Sequence, residues 1–494
     1  MKRSLITTNA ALLLLASLLI SCGDGAPAAA DTTADTASVI EQTETTVDDG
    51  RLPAPAVTDM NGAELRIMNS TPESFNWATT TILVEEADGD ILNDALYNRE
   101  RTVEEKYNCQ IVELPVIRTD MDTKIPNAVA AGDKYFDTAM VFDASVSNIL
   151  LKDALMSWDE VPGLDLSAPW WDSAATKEYS FGGIQAAVTG AYSLYNYSTR
   201  HVYVFNNKMM AELDVADDIY TMVREGKWTV DELYRLGALA VSDLNGDGKM
   251  HQDDDRFGIN GTPTRHYSAI LMGSGVRYID RDKDGTLYFA IDGNEYAQSV
   301  MAKFVALDLQ DKNIFNDKKA DINEDINTVF TDGRAMFCAA YVGEAAKMRG
   351  LEFDLGFVPP PKYDTAQESY YSLVEGGAQS VLPRMLDEDD LSRIGTILDA
   401  FAYYSYYESI PAYIDVLIMG KVARNEDSEE MLQLVFDSSA YDLGTGIWSA
   451  DTKNKYVSTV LSTSKTDIAS RTEKIRSGIE AQLEKFMTAL EDLS

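Results

Sequence analysis

Between Glu64 and Phe142 the apolar period of the sequence switches in a regular order, and that order limits the fold more than any other feature. Glu64-Leu-Arg-Ile-Met-Asn69 alternates as a strand does. Leu92, Leu96, Val103 and Tyr107 then share one helical face, with Arg99, Glu100 and Glu104 on the other. Cys109-Gln-Ile-Val-Glu-Leu114 reads as a second strand, and a helix from about Asp122 stops at Gly132, a residue suited to a left-handed cap. Asp137-Thr-Ala-Met-Val-Phe142 is the third strand. Strand–helix–strand–helix–strand at this spacing implies a parallel, doubly wound α/β lobe. Ligands of such sheets collect beyond the carboxyl ends of the strands. Here those ends are 70–77 and 143–145, which makes Trp77 and Asp143 candidate ligand contacts.

The 494 residues are enough for two domains. Helical periodicity dominates the rest, at 231–236, 296–309, 387–404 and 471–490. In the last of these Ile475, Ile479, Leu483, Phe486 and Leu490 form one apolar stripe. The net charge of −38 argues against nucleic acid and anionic lipid as partners. Cys109 and Cys338 sit in apolar, strand-like surroundings that favour buried free thiols, and a bridge between them stays open at this level.

The N-terminus carries an export signal. Lys2 and Arg3 precede an apolar run from Ala10 to Ile20, too short for a lasting membrane span. It leads into Leu19-Ile20-Ser21-Cys22-Gly23, which resembles the lipobox of bacterial lipoproteins. That resemblance implies a signal peptide over 1–21, lipidation of Cys22 and an extracytoplasmic protein anchored to the cell membrane by acyl chains alone. Residues 22–58 then form a lipidated flexible tether, since Ala, Thr, Asp, Gly and Glu cannot bury enough surface to order it.

Four further segments point to a family. Gly190-Ala-Tyr192 leads through Val202-Tyr-Val-Phe-Asn-Asn-Lys208. Gly226-Lys-Trp-Thr-Val-Asp-Glu-Leu233, Phe330-Thr-Asp-Gly-Arg-Ala-Met336 and Leu355-Gly-Phe-Val-Pro-Pro-Pro-Lys362 follow in that order. Together they resemble the hinge strand, helix start, turn and edge of the extracellular solute-binding proteins of ABC sugar importers. The run of three prolines and a long segment from Ile410 to Gly444 depart from that pattern. The resemblance implies a two-lobe periplasmic-binding-protein-like α/β fold with a hinge and an interlobe cleft. Crossings are then expected near Tyr192, Cys338 and Glu375. They would assign 59–192 with 339–375 to the N-terminal lobe and 193–338 with 376–494 to the C-terminal lobe.

The sharpest local motif is Asp243-Leu-Asn-Gly-Asp-Gly-Lys-Met-His-Gln-Asp-Asp254. It fits an EF-hand calcium loop, with side-chain oxygens from Asp243, Asn245 and Asp247, a turn at Gly248 and the Lys249 carbonyl. His251 takes the position that often works through water, and Asp254 stands where glutamate is usual. A structural Ca2+ is therefore expected, the alternative being a solvated acidic turn. Asp280-Arg-Asp-Lys-Asp-Gly285 starts alike but has Ile291 at the twelfth position, so it reads as a hairpin turn.

Sugars present a flat C–H face and a rim of hydroxyls, so their sites use aromatic faces together with carboxylates and amides. Trp170 and Trp171 precede Asp172 in a loop-like setting. Tyr192, Tyr267 and Tyr341 fall where the resemblance places hinge or cleft residues, and Trp448, after Asp442-Leu-Gly-Thr-Gly446, is placed to reach the cleft from the C-terminal lobe. For each ring ordinary packing competes with ligand contact. The three histidines, His201, His251 and His266, belong to no catalytic signature. These features imply a monomeric surface receptor, not an enzyme, that hands a carbohydrate, most simply an oligosaccharide, to the permease subunits of an ABC importer. The other class is a cell-surface carbohydrate-active hydrolase or a polysaccharide-adhesion lipoprotein.

Overall fold

The computed structural model describes residues 50–71, 81–310, 314–316, 328–418, 426–461 and 467–492. The expected signal peptide, Cys22, most of the tether and Trp77 lie outside the described residues.

The first lobe begins as the periodicity implies. Strand β1 (Ala63–Ser70), helix α1 (Ile91–Tyr107), strand β2 (Cys109–Val116), helix α2 (Met121–Ala131) and strand β3 (Thr138–Phe142) follow one another. Asp90 caps α1 by accepting from the N–H groups of Leu92 and Asn93, and Asn108 ends it with a φ of 47°. Gly132 ends α2 with a φ of 64°. β1 runs parallel to β2 and to β3, and every residue of β3 is buried. Helix α3 (Asp143–Leu150) starts directly where β3 stops.

Seven more strands complete two sheets. They are β4 (Leu155–Met156), β5 (His201–Asn206), β6 (Phe257–Asn260), β7 (Phe315–Asn316), β8 (Ala335–Tyr341), β9 (Leu355–Val358) and β10 (Ala378–Pro383). The first sheet has the order β2-β1-β3-β10-β4 and the second β7-β6-β8-β5-β9. In each, the fourth strand runs against its neighbours: β10 against β3 and β4, β5 against β8 and β9. That reversed strand is the one by which the chain arrives from the other lobe. It begins at the edge where the parallel strands end, so each crossing delivers the chain straight into it.

This topology redraws the expected boundaries. The crossings near Tyr192 and Glu375 are present, between Val188 and His201 and between Leu373 and Ala378. Cys338 is no crossing, because it sits inside β8 and is paired on both sides, to Val204 and to Asn260. The chain stays in the second lobe through β9, so 339–375 is not first-lobe sequence. After β10 it is in the first lobe, where helix Glu388–Tyr404 packs on α1 and β1. The third crossing comes near Ser439, where Ser439–Ala440 pairs in parallel with Ser372–Leu373. Val374 pairs in turn with Arg200, so the three crossings are hydrogen-bonded side by side. The final helix, Ile468–Glu491, buries its expected stripe against the second-lobe hairpin of Ile279–Arg281 and Leu287–Phe289.

Two smaller points concern buried groups. Cys109 and Cys338 are both buried thiols and are not bridged to each other. Arg99, expected on the solvated face of α1, is fully buried. Its guanidinium lies 4.4 Å over Phe401 and donates to the Ile82 carbonyl and the Ser405 hydroxyl at 2.5 Å each. The helix laid over α1 from three hundred residues downstream supplies Phe401 and, at its end, Ser405.

Candidate functional site

The carboxyl ends of the parallel strands of both sheets meet at one seam. Asp143, just past β3, accepts the N–H of Gly377 at 2.7 Å. Glu375, two residues earlier, meets the imidazole of His201, which lies opposite Tyr341 across the β5–β8 pair. Two residues of chain span at most about 7 Å, so the contacts to the two sheets are made from one short piece of a crossing.

On the first-lobe side Asp143 is fully buried. Beyond Gly377 it accepts from the Gln379 amide at 3.0 Å and from the Tyr179 hydroxyl. Burial pushes its carboxyl up to about 6, against these hydrogen bonds. Gly446 closes over it, and a Cβ there would come within 2.9 Å of the Asp143 Oδ2. Only glycine fits.

The second-lobe side is a cluster of charges around one ring. Arg265, in the first turn of helix Pro263–Gly273, places its guanidinium 4.0 Å over Tyr341 and pairs with Glu344 at 2.7 Å. His201 meets the same tyrosine edge-on at 5.1 Å. Burial holds His201 below the usual histidine range, so its neutral ring donates Nε2–H to Glu375 at 2.8 Å. Glu375 also pairs with Lys453. Burial alone would raise the Glu375 carboxyl, but Lys453 and His201 outweigh it and hold it well below its usual range.

A third set of contacts ties the lobes together beside these walls. Glu178 is buried and pairs with Arg277 of the second-lobe hairpin, while Arg281 donates to the Lys177 carbonyl at 2.8 Å. Asp442, past the third crossing, accepts from the N–H of Tyr278 at 2.6 Å and of Thr445 at 3.0 Å. Burial, with the Glu178 charge adding, pushes Asp442 up to about 7 despite Arg277.

Among the expected ligand contacts, Asp143 and Tyr341 are thus brought to the seam. Trp77 lies outside the described residues, and the other described ones are used in packing. Both indole N–H groups of Trp170 and Trp171 donate to Asp399 Oδ1, at 2.6 and 2.8 Å, and Trp170 packs edge-on against Tyr403. The Tyr192 and Ser380 hydroxyls are 2.5 Å apart. Tyr267 donates to Asp308 and stacks on Phe304, inside the second lobe. Trp448 packs on Phe486 of the last helix. Trp171 alone of these also faces a separate cavity behind the crossings. Arg265, Glu344, Glu375, His201 and Lys453 were not anticipated. Their signal was positional: Arg265 opens the helix after β6, and Glu375 stands at a crossing.

The loop Asp243–Asp254 is closed at its base by the Ser242–Arg256 bridge. Asp243 accepts from Gly246 and Gly248, Asn245 from Asp247, and Asp247 from Lys249. Asp255, unforeseen, is buried and ties Leu244 to His251. Among the described residues no three His, Cys, Asp or Glu side chains are gathered as a metal cluster. The stretch at Asp280–Gly285 is the hairpin turn expected.

No family model matches the sequence, and no curated protein does. Solved structures do match. The cyclic alpha-maltosyl-1,6-maltose binding protein of Arthrobacter globiformis aligns with a TM-score of 0.55 at 15% identity, over 86% of this chain and 100% of that one. The ABC substrate-binding protein of Listeria monocytogenes in complex with cycloalternan gives 0.51 at 12%, over 86% and 99%. The GacH receptor of Streptomyces glaucescens, solved unliganded and with acarbose, gives 0.51 at 14%, over 86% and 99%. With its two sheets, its three crossings and these likenesses along almost the whole length of each neighbour, the chain has the two-lobed fold of the ABC-type solute-binding proteins.

Proposed function

We propose that the chain is a receptor that captures a carbohydrate, most simply an oligosaccharide, in the seam between its lobes and delivers it to an ABC importer. The observation that carries this reading is the meeting of both sheets' carboxyl ends at one seam, edged by Tyr341, Arg265, Glu344, Glu375 and Lys453. A ring face with fixed charges around it suits hydroxyl-rich ligands. The similar structures named above include a complex with cycloalternan and one with acarbose, which supports the same ligand class. A solute touching both walls favours the closed arrangement, which is the form a permease can distinguish.

The same reading makes the protein a monomer that returns its ligand chemically unchanged, exported and lipidated at Cys22, with 22–58 as its lipidated tether. It also keeps calcium as a structural ion for the loop at Asp243–Asp254. Support there is the set of inward-turned oxygens on Asp243, Asn245 and Asp247.

A thermal-shift screen across mono- and oligosaccharides tests the receptor reading, since a ligand that binds only the folded state raises its melting temperature. The cognate sugar should also lower the radius of gyration in small-angle scattering and be recovered intact. Cleaved product accumulating in proportion to protein overturns it in favour of a hydrolase. A screen in which no sugar shifts the transition overturns the ligand class.

A further inference from the structure

A cavity of about 300 Å³ lies behind the crossings, away from the seam. The separation follows from two consecutive residues. His201 turns its ring to Glu375 at the seam. Arg200, in extended backbone paired to Val374, turns the opposite way, as alternate residues of a strand do. Its guanidinium donates to the Phe436 carbonyl at 2.8 Å, pairs with Asp172 at 3.2 Å and forms part of the cavity lining. The cavity draws its walls from the first crossing, the start of the third and the Trp171–Asp172 loop of the first lobe.

The lining selects a chemical class. Trp171, Tyr197, Tyr406 and Phe436 offer ring surface, and Arg200 lies 4.3 Å over the Tyr197 ring. At the mouth the exposed Gln433 and Asp437 are joined by a 2.8 Å hydrogen bond and still present an acceptor and a donor to solvent. An anion is disfavoured, because the Arg200 charge is already paired with Asp172 and Asp437 guards the entrance. A cation meets the buried guanidinium. A purely apolar guest strips water from the polar side chains of the lining, Ser167, Ser173 and Gln433 among them, without replacing its hydrogen bonds. A neutral polyhydroxylated ring satisfies all of these at once, and the space is at the small end for ligand sites, so it holds one ring, not a chain.

We propose that this cavity is a second binding site, for a single neutral sugar ring, whose occupancy biases lobe closure. The bias follows because two of the three crossings form its walls, so its shape changes with the lobe angle, and a ligand that prefers one shape shifts the balance.

The test is calorimetric titration of the full chain with D-glucose, D-galactose, D-mannose and D-xylose, repeated on the double variant Q433A/D437A and on the seam variant R265A. The expected result is that at least one monosaccharide binds the unmodified protein, loses tenfold or more in Q433A/D437A and is unaffected by R265A. That sugar should also change the affinity of an oligosaccharide at the seam by a measurable factor, reciprocally. Oligosaccharide binding by itself should survive Q433A/D437A. Monosaccharide binding lost in R265A and kept in Q433A/D437A overturns the proposal, and leaves the seam as the site. No binding by any of the four overturns it as well, without touching oligosaccharide capture. Loss of oligosaccharide binding in Q433A/D437A also overturns it, by making this cavity the capture site itself.

Discussion

Asp143 accepts the backbone N–H of Gly377 through Oδ2 at 2.7 Å, so the residue that ends a strand of the first sheet also holds the chain as it returns from the second. Asp143→Ala leaves that N–H and the Gln379 amide without an acceptor in a buried place. The expected loss is about 1–3 kcal/mol in urea denaturation, with Asp143→Asn falling between the two because it keeps one acceptor oxygen. An unchanged midpoint in the alanine variant shows that water replaces the carboxylate there.

Asp442 sets a pH dependence. Its carboxyl holds a proton up to about 7 in the fold, against 3.8 when free, so the folded chain binds more protons between those values. Its contribution to stability is therefore most favourable below about 4 and falls as pH rises to about 7. Asp442→Asn cannot ionise, so its melting temperature relative to the parent should improve between pH 5 and pH 8. Equal differences at the two pH values mean that the carboxyl ionises normally.

Trp170 belongs to the core of the first lobe, with its N–H on Asp399 and its ring on Tyr403. Trp170→Ala should cost about 3–5 kcal/mol of stability while the folded fraction binds sugar with unchanged affinity. Weakened binding at full stability returns this indole to the ligand site.

Glu178 joins the lobes through Arg277. Glu178→Ala leaves that guanidinium without its buried partner, at a cost of about 3–5 kcal/mol. Because the pair spans the lobes, the unliganded protein should also show a larger radius of gyration in small-angle scattering. Destabilisation with no expansion places the pair within one rigid body.

Calcium is testable by its removal. A chelator should lower the melting temperature and added Ca2+ restore it, and Asp243→Ala with Asp247→Ala should abolish the response. A parent protein indifferent to chelation has an acidic turn at this place, held by its own hydrogen bonds and by Asp255.

The sequence exposed what depends on near neighbours. The first three strands, the cap at Gly132, the hairpin at Asp280–Gly285 and the stripe of the last helix are all local patterns. Asp143 was recognisable because a strand end is a local event. What could not be read were partners far along the chain. Nothing near Trp170 announces that its N–H will meet a carboxylate 229 residues on, nor near Arg99 that a serine 306 residues on will accept from it. Cys338 failed as a crossing for the same reason: pairing on both sides of β8 is decided by strands elsewhere.

The reversed strand of the first sheet has a further consequence for how the chain comes to be folded. A growing polypeptide that has emerged as far as β4 has β3 and β4 with a gap between them where residues 378–383 belong. Both flanking strands then carry bare edges, and neither half of the protein is an unbroken length of chain that could finish alone. Closure waits for a pairing some 240 positions distant, and such pairings form slowly. Any fragment ending before β10 should stay open and sensitive to proteases. The same lateness leaves the newborn chain without a finished sheet until most of its length has been made.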